Sequence, residues 1–472
     1  MSQKTLILFI LLSITGIMQA QKRPQPRSGK APTVNINKPQ TFTLKNGLKV
    51  MVVENHKLPK VTYNLTIDNP PYYEGKIKGV DDLCSSLIGS GNMKITKDNF
   101  NEEVDFLGAN INFSSHGAYA NALSKYSGRI LQLMSYGALY PNFTQEEFDK
   151  EKAKILEAIR SQEKNVPTIA NRVTEALAFG TNHPSGEYIT EATVNNITLE
   201  DIKANYEKYF APDNAYLVII GDVKYKNIKP IVEELFGDWK KKNTKFDSYP
   251  NPQNVSFTQI NFVDTPNASQ TEIALVNTIN LKMSHKDFFP AVLATYILGG
   301  GFNSYLNMNL REENGWTYGA NALIGAGKYP SKLKAASSVR TSATDSAVVE
   351  MIKEIKRIRT EKVSEILLQE VKAGYIGRFV MQVEKPQSVA RYALNIETED
   401  LPLDFYENYI KTIAAVTTDD VLKAAQKYLL VDNMRIIITG KGSEILSGLE
   451  QLNIPISYFD HYANPIEKPK YD

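Results

Sequence analysis

The chain repeats itself. KYFAPDNAYLVIIGDV at 208–223 is matched by KYLLVDNMRIIITGKG at 427–442, with Asp213-Asn214 facing Asp432-Asn433 at an offset of 219. The segment before each copy corresponds as well, TLEDI at 198–202 against TTDDV at 417–421. A duplication on this scale means one α+β unit used twice, so each half needs a sheet and helices of its own. The expected fold is therefore α+β, with two homologous α/β sandwich-like halves, each an antiparallel-rich sheet with helices packed on it. Residues 237–256, GDWKKKNTKFDSYPNPQNVS, lose all apolar periodicity and read as the linker. This gives an N-terminal domain at 41–236, a C-terminal domain at 257–442 and a tail at 443–472, which packs on the second half or contacts a partner. Carried further back, the same offset sets Asp82 opposite Gly301, which reads their two stretches as equivalent sites on a shared cleft.

Composition excludes several classes. The 472 residues are too many for one small domain, and 42% hydrophobic with 22% charged residues is ordinary for a globular chain with real cores. A formal net charge of +2 gives no footprint for nucleic acid. The single cysteine, Cys84, rules out an internal disulfide framework. Lys4 precedes an apolar run from Leu6 to Met18 and then Gln19-Ala20, so residues 1–20 read as a signal peptide. Residues 21–40 are rich in proline and basic side chains and read as a flexible leader. The expectation is a periplasmic or secreted protein with no stable membrane insertion once the signal is cut.

Three stretches carry candidate chemistry. From Gly79 to Ile88, Val80, Leu83, Cys84, Leu87 and Ile88 form the apolar face of a helix, and Asp82, Ser85 and Ser86 line another face. Cys84 is thus a core residue. A long charged helix follows at 144–162, opened by Thr144 as N-cap and by Glu146-Glu147. The third stretch is LGGGFNSYLNMNLREENGWTYG, 298–319. Its glycines end an apolar helix, Asn303-Ser304 cap a short new one, and Gly315 stops that helix before a strand opens at Trp316. Arg311 and Tyr318 leave adjacent ends of this helix and strand. A guanidinium beside a phenol suits a peptide carbonyl or a developing oxyanion. The plainer alternative is an arginine favoured by a helix C-terminus and a tyrosine packed in a sheet.

The N-terminal hairpin, the Gly79-Val80 helix, the acidic helix, the PDN-strand-GDV unit and LGGGxxSxLxxxLRExxGxxY together resemble the pitrilysin/insulysin family of zinc peptidases. The resemblance covers residues 40–442 and is greatest to the short two-domain members and the mitochondrial processing peptidase. It implies a chain that forms one half of a clamshell. Active members carry His-x-x-Glu-His on the first helix, two imidazoles one turn apart for the metal and a glutamate as base. Aligned on Gly79-Val80, those positions are Asp82, Ser85 and Ser86 here, and the third ligand aligns with Ala158, beside Glu157. The five histidines, His56, His116, His183, His285 and His461, include no pair at ligand spacing. An Asp82–Glu157 cation site and a metal-free polar face both remain open. By the same resemblance the arginine-tyrosine pair that grips substrate from across the cleft is intact as Arg311 and Tyr318. Gly300 and Gly301 belong to the substrate-binding stretch. Phe113 and Ser114 lie on the strand INFSS (111–115), where extended peptides add as a further strand, or which is an ordinary sheet strand.

The resemblance thus implies a non-catalytic, substrate-binding subunit of a heterodimeric zinc metallopeptidase. It expects no cofactor in this chain and zinc in a partner subunit of the same family that bears the complete motif. A metal-free peptide-binding or scaffolding protein of the same fold is the second reading, and an autonomous hydrolase with an unusual metal site the third.

Overall fold

The computed structural model describes residues 38–471. The expected signal peptide and nearly all of the leader lie outside the described residues. Two sheets organise the rest. The first contains β1 (Gln40–Thr43), β2 (Lys49–Glu54), β3 (Lys60–Ile67), β4 (Asn110–Ser114), β5 (Gly117–Leu123) and β6 (Ala215–Gly221), in the order β1-β2-β6-β3-β5-β4. The second contains β7 (Gln259–Asp264), β8 (Gln270–Ile279), β9 (Thr317–Ile324), β10 (Ser331–Arg340), β11 (Arg435–Gly440), β12 (Ile456–Phe459) and β13 (Pro465–Ile466), in the order β13-β12-β7-β11-β8-β10-β9. Pairing is antiparallel except at β2–β6, β7–β11 and β7–β12. Both sheets carry helices, and the α+β fold with two related halves is what the duplication implies.

The local rules are easy to follow. Asn46 and Gly47, with Gly47 at φ +100°, turn β1 into β2. In β6 every residue from Ala215 to Ile220 is buried, as a strand covered on both faces requires. The first-half helices are α1 (Val80–Leu87), α2 (Lys97–Phe106), α3 (Ser127–Leu139), α4 (Gln145–Gln162), α5 (Val166–Phe179), α6 (Glu191–Asn196), α7 (Leu199–Tyr209) and α8 (Tyr225–Phe236). The second half has α9 (Phe288–Gly299), α10 (Tyr305–Asn307), α11 (Thr344–Thr360), α12 (Glu365–Val383), α13 (Pro386–Thr398), α14 (Tyr409–Ala415), α15 (Thr418–Tyr428) and α16 (Gly442–Glu450). Reciprocal capping boxes open α7 (Thr198 with Asp201) and α15 (Thr417 with Asp420), the same device in both copies.

The halves are joined by an exchange of helices. Val50, Val52, Leu217 and Ile219 face the core of the first half, whereas Met51, Val53, Val218 and Ile220 on the other face pack against Val389 and Ala390 of α13. Reciprocally, α5 lays Ile169, Val173 and Ala178 on Val263, Ala274, Val276 and Ile437 of the second sheet. Each buried Val or Ile contributes roughly 1.5–3 kcal/mol relative to exposure. Ion pairs cross at Lys49–Glu397 (2.7 Å), Lys328–Asp68 (2.9 Å) and Lys332–Glu175 (2.5 Å). Being partly exposed, they fix register more than they stabilise. The stretch between the halves has neither helix nor strand and is pinned at Asn46, Tyr73 and Thr278.

One alternative left open by the sequence is decided, and one reading needs adjustment. The tail beyond the repeat is part of the second sheet, because β12 runs parallel to β7 and β13 closes on β12. The fixed offset fails toward the N-terminal end of each half. Leu217 pairs with Leu65, and its counterpart Ile436 pairs with Leu275; Leu65 pairs with Ala118 and Ala118 with Phe113, while Leu275 pairs with Ala335 and Ala335 with Ala322. Phe113 therefore corresponds to Ala322, and the glycine packed on each, Gly89 after α1 and Gly299 at the end of α9, corresponds as well. Asp82 and Gly301 are not equivalent, since insertions between the repeats absorbed the difference.

Candidate functional site

In the first half the positions of the metal motif lie on α1, which packs against α4 and α7. Gly79 starts the helix at φ +104°, and Glu74 caps it, its Oε2 accepting from the amides of Gly79 (3.0 Å) and Asp81 (3.2 Å). The other oxygen of Glu74 holds the Lys78 ammonium at 2.5 Å, and Glu187 Oε1 lies 3.4 Å from the same ammonium. Glu187 also accepts from the amides of Glu74 and Gly75. Burial lowers the Lys78 pKa but is outweighed by Glu74 and Glu187, so the net shift is upward. Burial raises Glu187, and burial followed by the Glu74 charge raises Asp82.

The carboxylate that organises this face is Asp81. Its Oδ1 accepts from the Tyr72 hydroxyl at 2.6 Å, and its Oδ2 accepts from Ser115 Oγ at 2.8 Å and faces His116 Nε2 at 3.3 Å. Burial pushes the Asp81 pKa up, but the hydrogen bonds from His116, Tyr72 and Ser115 outweigh it and hold it at about 2. The hydrogen bond to Asp81 raises His116 in turn. Ser85 Oγ lies 2.8 Å from Ser115 Oγ and accepts the Ser115 amide at 2.9 Å, which ties α1 to the β4–β5 turn. Ser86 Oγ donates to the Asp82 carbonyl one turn back. Ala158 is exposed on α4 and offers no donor atom, and Glu157 is exposed beside it.

Zinc does not fit these residues. Ser85 is spent on Ser115, Ser86 on its own helix, and Ala158 has no ligand, while the Lys78 ammonium and the His116 imidazole stand around α1. Among the described residues no group of three or more His, Cys, Asp or Glu side chains is disposed to hold a metal ion. Sequence reasoning missed Tyr72, Glu74, Asp81, His116 and Glu187 here. The Glu74–Lys78 spacing and the Asp81-Asp82 doublet were the available signals.

In the second half, α9 ends at Gly299, where only glycine fits because a Cβ would stand 2.4 Å from the Ala322 amide nitrogen. Ser304 sits at the N-cap of α10, but its hydroxyl accepts from Asn307 Nδ2 (3.2 Å) instead of capping an amide. After Asn307 the helix widens into a π-helical segment, Met308–Glu313, which carries Arg311. Wide turns of this kind re-aim side chains and recur at functional sites. Gly315, at φ +62°, ends the segment, and the Trp316 amide donates back to the Leu310 carbonyl (2.9 Å). Asn309 is anchored on Glu350 (2.6 Å) and Glu354 (2.8 Å) of α11. The segment packs on β9, the edge strand that carries Tyr318.

Arg311 and Tyr318 have little to do within the fold. The guanidinium lies over the Phe302 ring at 4.7 Å, its Nε is 3.3 Å from Glu312 Oε1, and the side chain is 41% exposed. Tyr318 is 91% exposed. Gly300 is exposed and Gly301 half-buried, both against the Tyr296 ring. The strand INFSS is β4, the edge of the first sheet. The Phe113 side chain turns inward, where a Cβ at Gly89 or Gly137 would fall 2.2 Å from its ring, and Ser114 Oγ accepts the His116 amide at 3.3 Å. What β4 offers outward at Phe113 is main chain.

Residues 196–375 match the family model described as Peptidase M16 inactive domain. The chain thus carries a segment of M16 peptidase type and is similar to that family. The description of the matched domain as inactive accords with the replaced zinc motif that the resemblance to the pitrilysin/insulysin peptidases implies. A non-peptidase homolog, YmxG of Helicobacter pylori, is 20% identical over 390 residues, 80% of this chain and 90% of its own. An uncharacterized zinc protease, YmxG of Bacillus subtilis, is 22% identical over 284 residues, 59% of this chain and 68% of its own. The fold matches the crystal structure of a peptidase M16 inactive domain from Pseudomonas fluorescens with a TM-score of 0.76 at 21% identity, covering 85% of this chain and 98% of that one.

Proposed function

We propose that this chain is the non-catalytic, substrate-binding subunit of a periplasmic or secreted heterodimeric zinc metallopeptidase. Arg311 and Tyr318 are supplied in trans to the metal site of a partner subunit that carries the zinc motif and the zinc. The substrates are extended peptides. The observation that supports this most is the contrast between the two sites. Around α1 the polar groups are spent on one another, while Tyr318 stands 91% exposed on an edge strand beside the segment that carries Arg311. At that exposure the Tyr318 ring is free to meet a ligand or a partner without unpacking the fold. A guanidinium and a phenol brought against a scissile carbonyl would stabilise the charge that develops on it.

The test is chelator-sensitive cleavage of an unstructured peptide by tagged protein recovered from its own host and by the recombinant chain alone. The proposal expects activity in the host preparation only, lost on Arg311→Ala. Activity of the pure chain would overturn it. The scaffold reading expects no activity in either preparation, and function indifferent to Arg311→Ala and Tyr318→Phe.

A further inference from the structure

A second concave site lies away from both motifs, where α12, α13 and α14 meet the start of α9. It encloses about 310 Å³, at the small end of ligand pockets and suited to one bulky side chain with its terminal group. Its floor is aromatic. Phe379 and Tyr409 stack at 4.1 Å, and Tyr392 and Tyr406 stack at 4.1 Å. Two exposed arginines stand at the rim. Arg378 lies over Tyr375 at 4.6 Å and donates to the Tyr296 hydroxyl at 3.3 Å, and Arg391 lies over Tyr392 at 5.6 Å.

Neither guanidinium has a carboxylate partner within 4.0 Å among the described residues, and the Tyr375, Tyr392 and Tyr409 hydroxyls have no hydrogen-bond partner there either. Glu399, the acid whose charge acts on Tyr406, is engaged elsewhere by the Lys328 amide at 2.9 Å. Burial raises the Tyr375 and Tyr409 pKa values, so both phenols remain protonated donors at neutral pH. Two cationic forks and three free hydroxyls around an apolar aromatic floor leave an anion and an aromatic ring unmatched on the protein side.

We propose that this pocket binds a carboxylate joined to an aromatic side chain, the chemistry of a peptide ending in phenylalanine or tyrosine and of a free N-acylated aromatic amino acid. The ring packs against Phe288, Tyr375 and Tyr409, the half-buried rings of the lining, and the carboxylate is held by Arg378 and Arg391. The site needs neither a metal nor a partner subunit, and it stands whether or not Arg311 and Tyr318 act in trans.

The experiment is calorimetry and saturation-transfer NMR on the full chain with Ala-Ala-Phe, with N-acetyl-phenylalanine, with their C-terminal amides and with phenyl phosphate. Both carboxylates are expected to bind at least fivefold more tightly than their amides. Arg378→Gln and Arg391→Gln are each expected to weaken the acids at least fivefold at unchanged unfolding midpoints. Tighter binding of the tripeptide identifies a peptide end as the source, and equal binding identifies the free acid. Amides that bind as well as acids, preference for phenyl phosphate, or arginine variants that bind like wild type would overturn the assignment.

Discussion

Asn307 and Ala320 hold each other twice, the side-chain amide donating to the Ala320 carbonyl at 2.9 Å and accepting the Ala320 amide at 2.9 Å. The same Nδ2 reaches the Gly301 carbonyl at 3.0 Å. One buried side chain therefore ties the glycine turn, the segment carrying Arg311 and the strand carrying Tyr318. Asn307→Ala leaves buried backbone groups of Ala320 unpaired, at about 1–3 kcal/mol for each unsatisfied group. The expected result is an unfolding midpoint lowered by urea denaturation and faster amide exchange at Ala320. An Asn307→Ala protein as stable as wild type would mean that the turn is held by other contacts.

The Asp81–His116 pair makes a signed prediction for pH. Asp81 is held at about 2, below its unfolded value, so its contribution is present above about pH 4 and lost as pH falls through the folded value. His116 is raised, so its contribution is complete below about pH 6.5 and lost as pH rises through the folded value. The stability difference between wild type and His116→Gln should be largest near pH 5.5 and shrink toward pH 8.5. Denaturation of both proteins across this range, at low and moderate salt, checks it. A difference that grows with pH would refute the pairing.

Much of this was legible because local rules act over a few residues. Thr198 and Thr417 announce two equivalent helix starts, Gly315 a helix stop, and Asp213-Asn214 with Asp432-Asn433 the duplication. The π-helical segment was not, since one wide turn changes no apolar period. Asp81 was overlooked for Asp82 because the motif directs attention to one helical position, while the roll of α1 turns its neighbour toward Ser115. The exchange of α5 and α13 was invisible for a different reason. An amphipathic helix shows that it covers an apolar face and carries no mark of which sheet owns that face.

That exchange predicts coupling between the halves. Ile169 belongs to the first half by sequence but is fully buried on the second sheet. Ile169→Ala should cost about 2–4 kcal/mol, as an unfilled cavity does. Hydrogen exchange should quicken at Ala274, Val276 and Ile437, far along the chain from the substitution. Loss of protection confined to residues 40–236 would show that α5 stabilises only its own half.

Tyr318 separates a functional aromatic from a structural one. Exposed side chains away from caps and networks change stability by about 0.5 kcal/mol or less when truncated. Tyr318→Ala should therefore unfold with the wild-type midpoint, and so should Arg311→Ala, whose guanidinium only rests on Phe302 and Glu312. Leu310, fully buried in the same segment, should lose about 2–4 kcal/mol on conversion to Ala. Peptide cleavage by the host-recovered complex should fall in all three variants, without any loss of folded protein in the first two. Were Tyr318→Ala to destabilise as much as Leu310→Ala, the ring would be a packing residue and the proposed clamp would lose its main support.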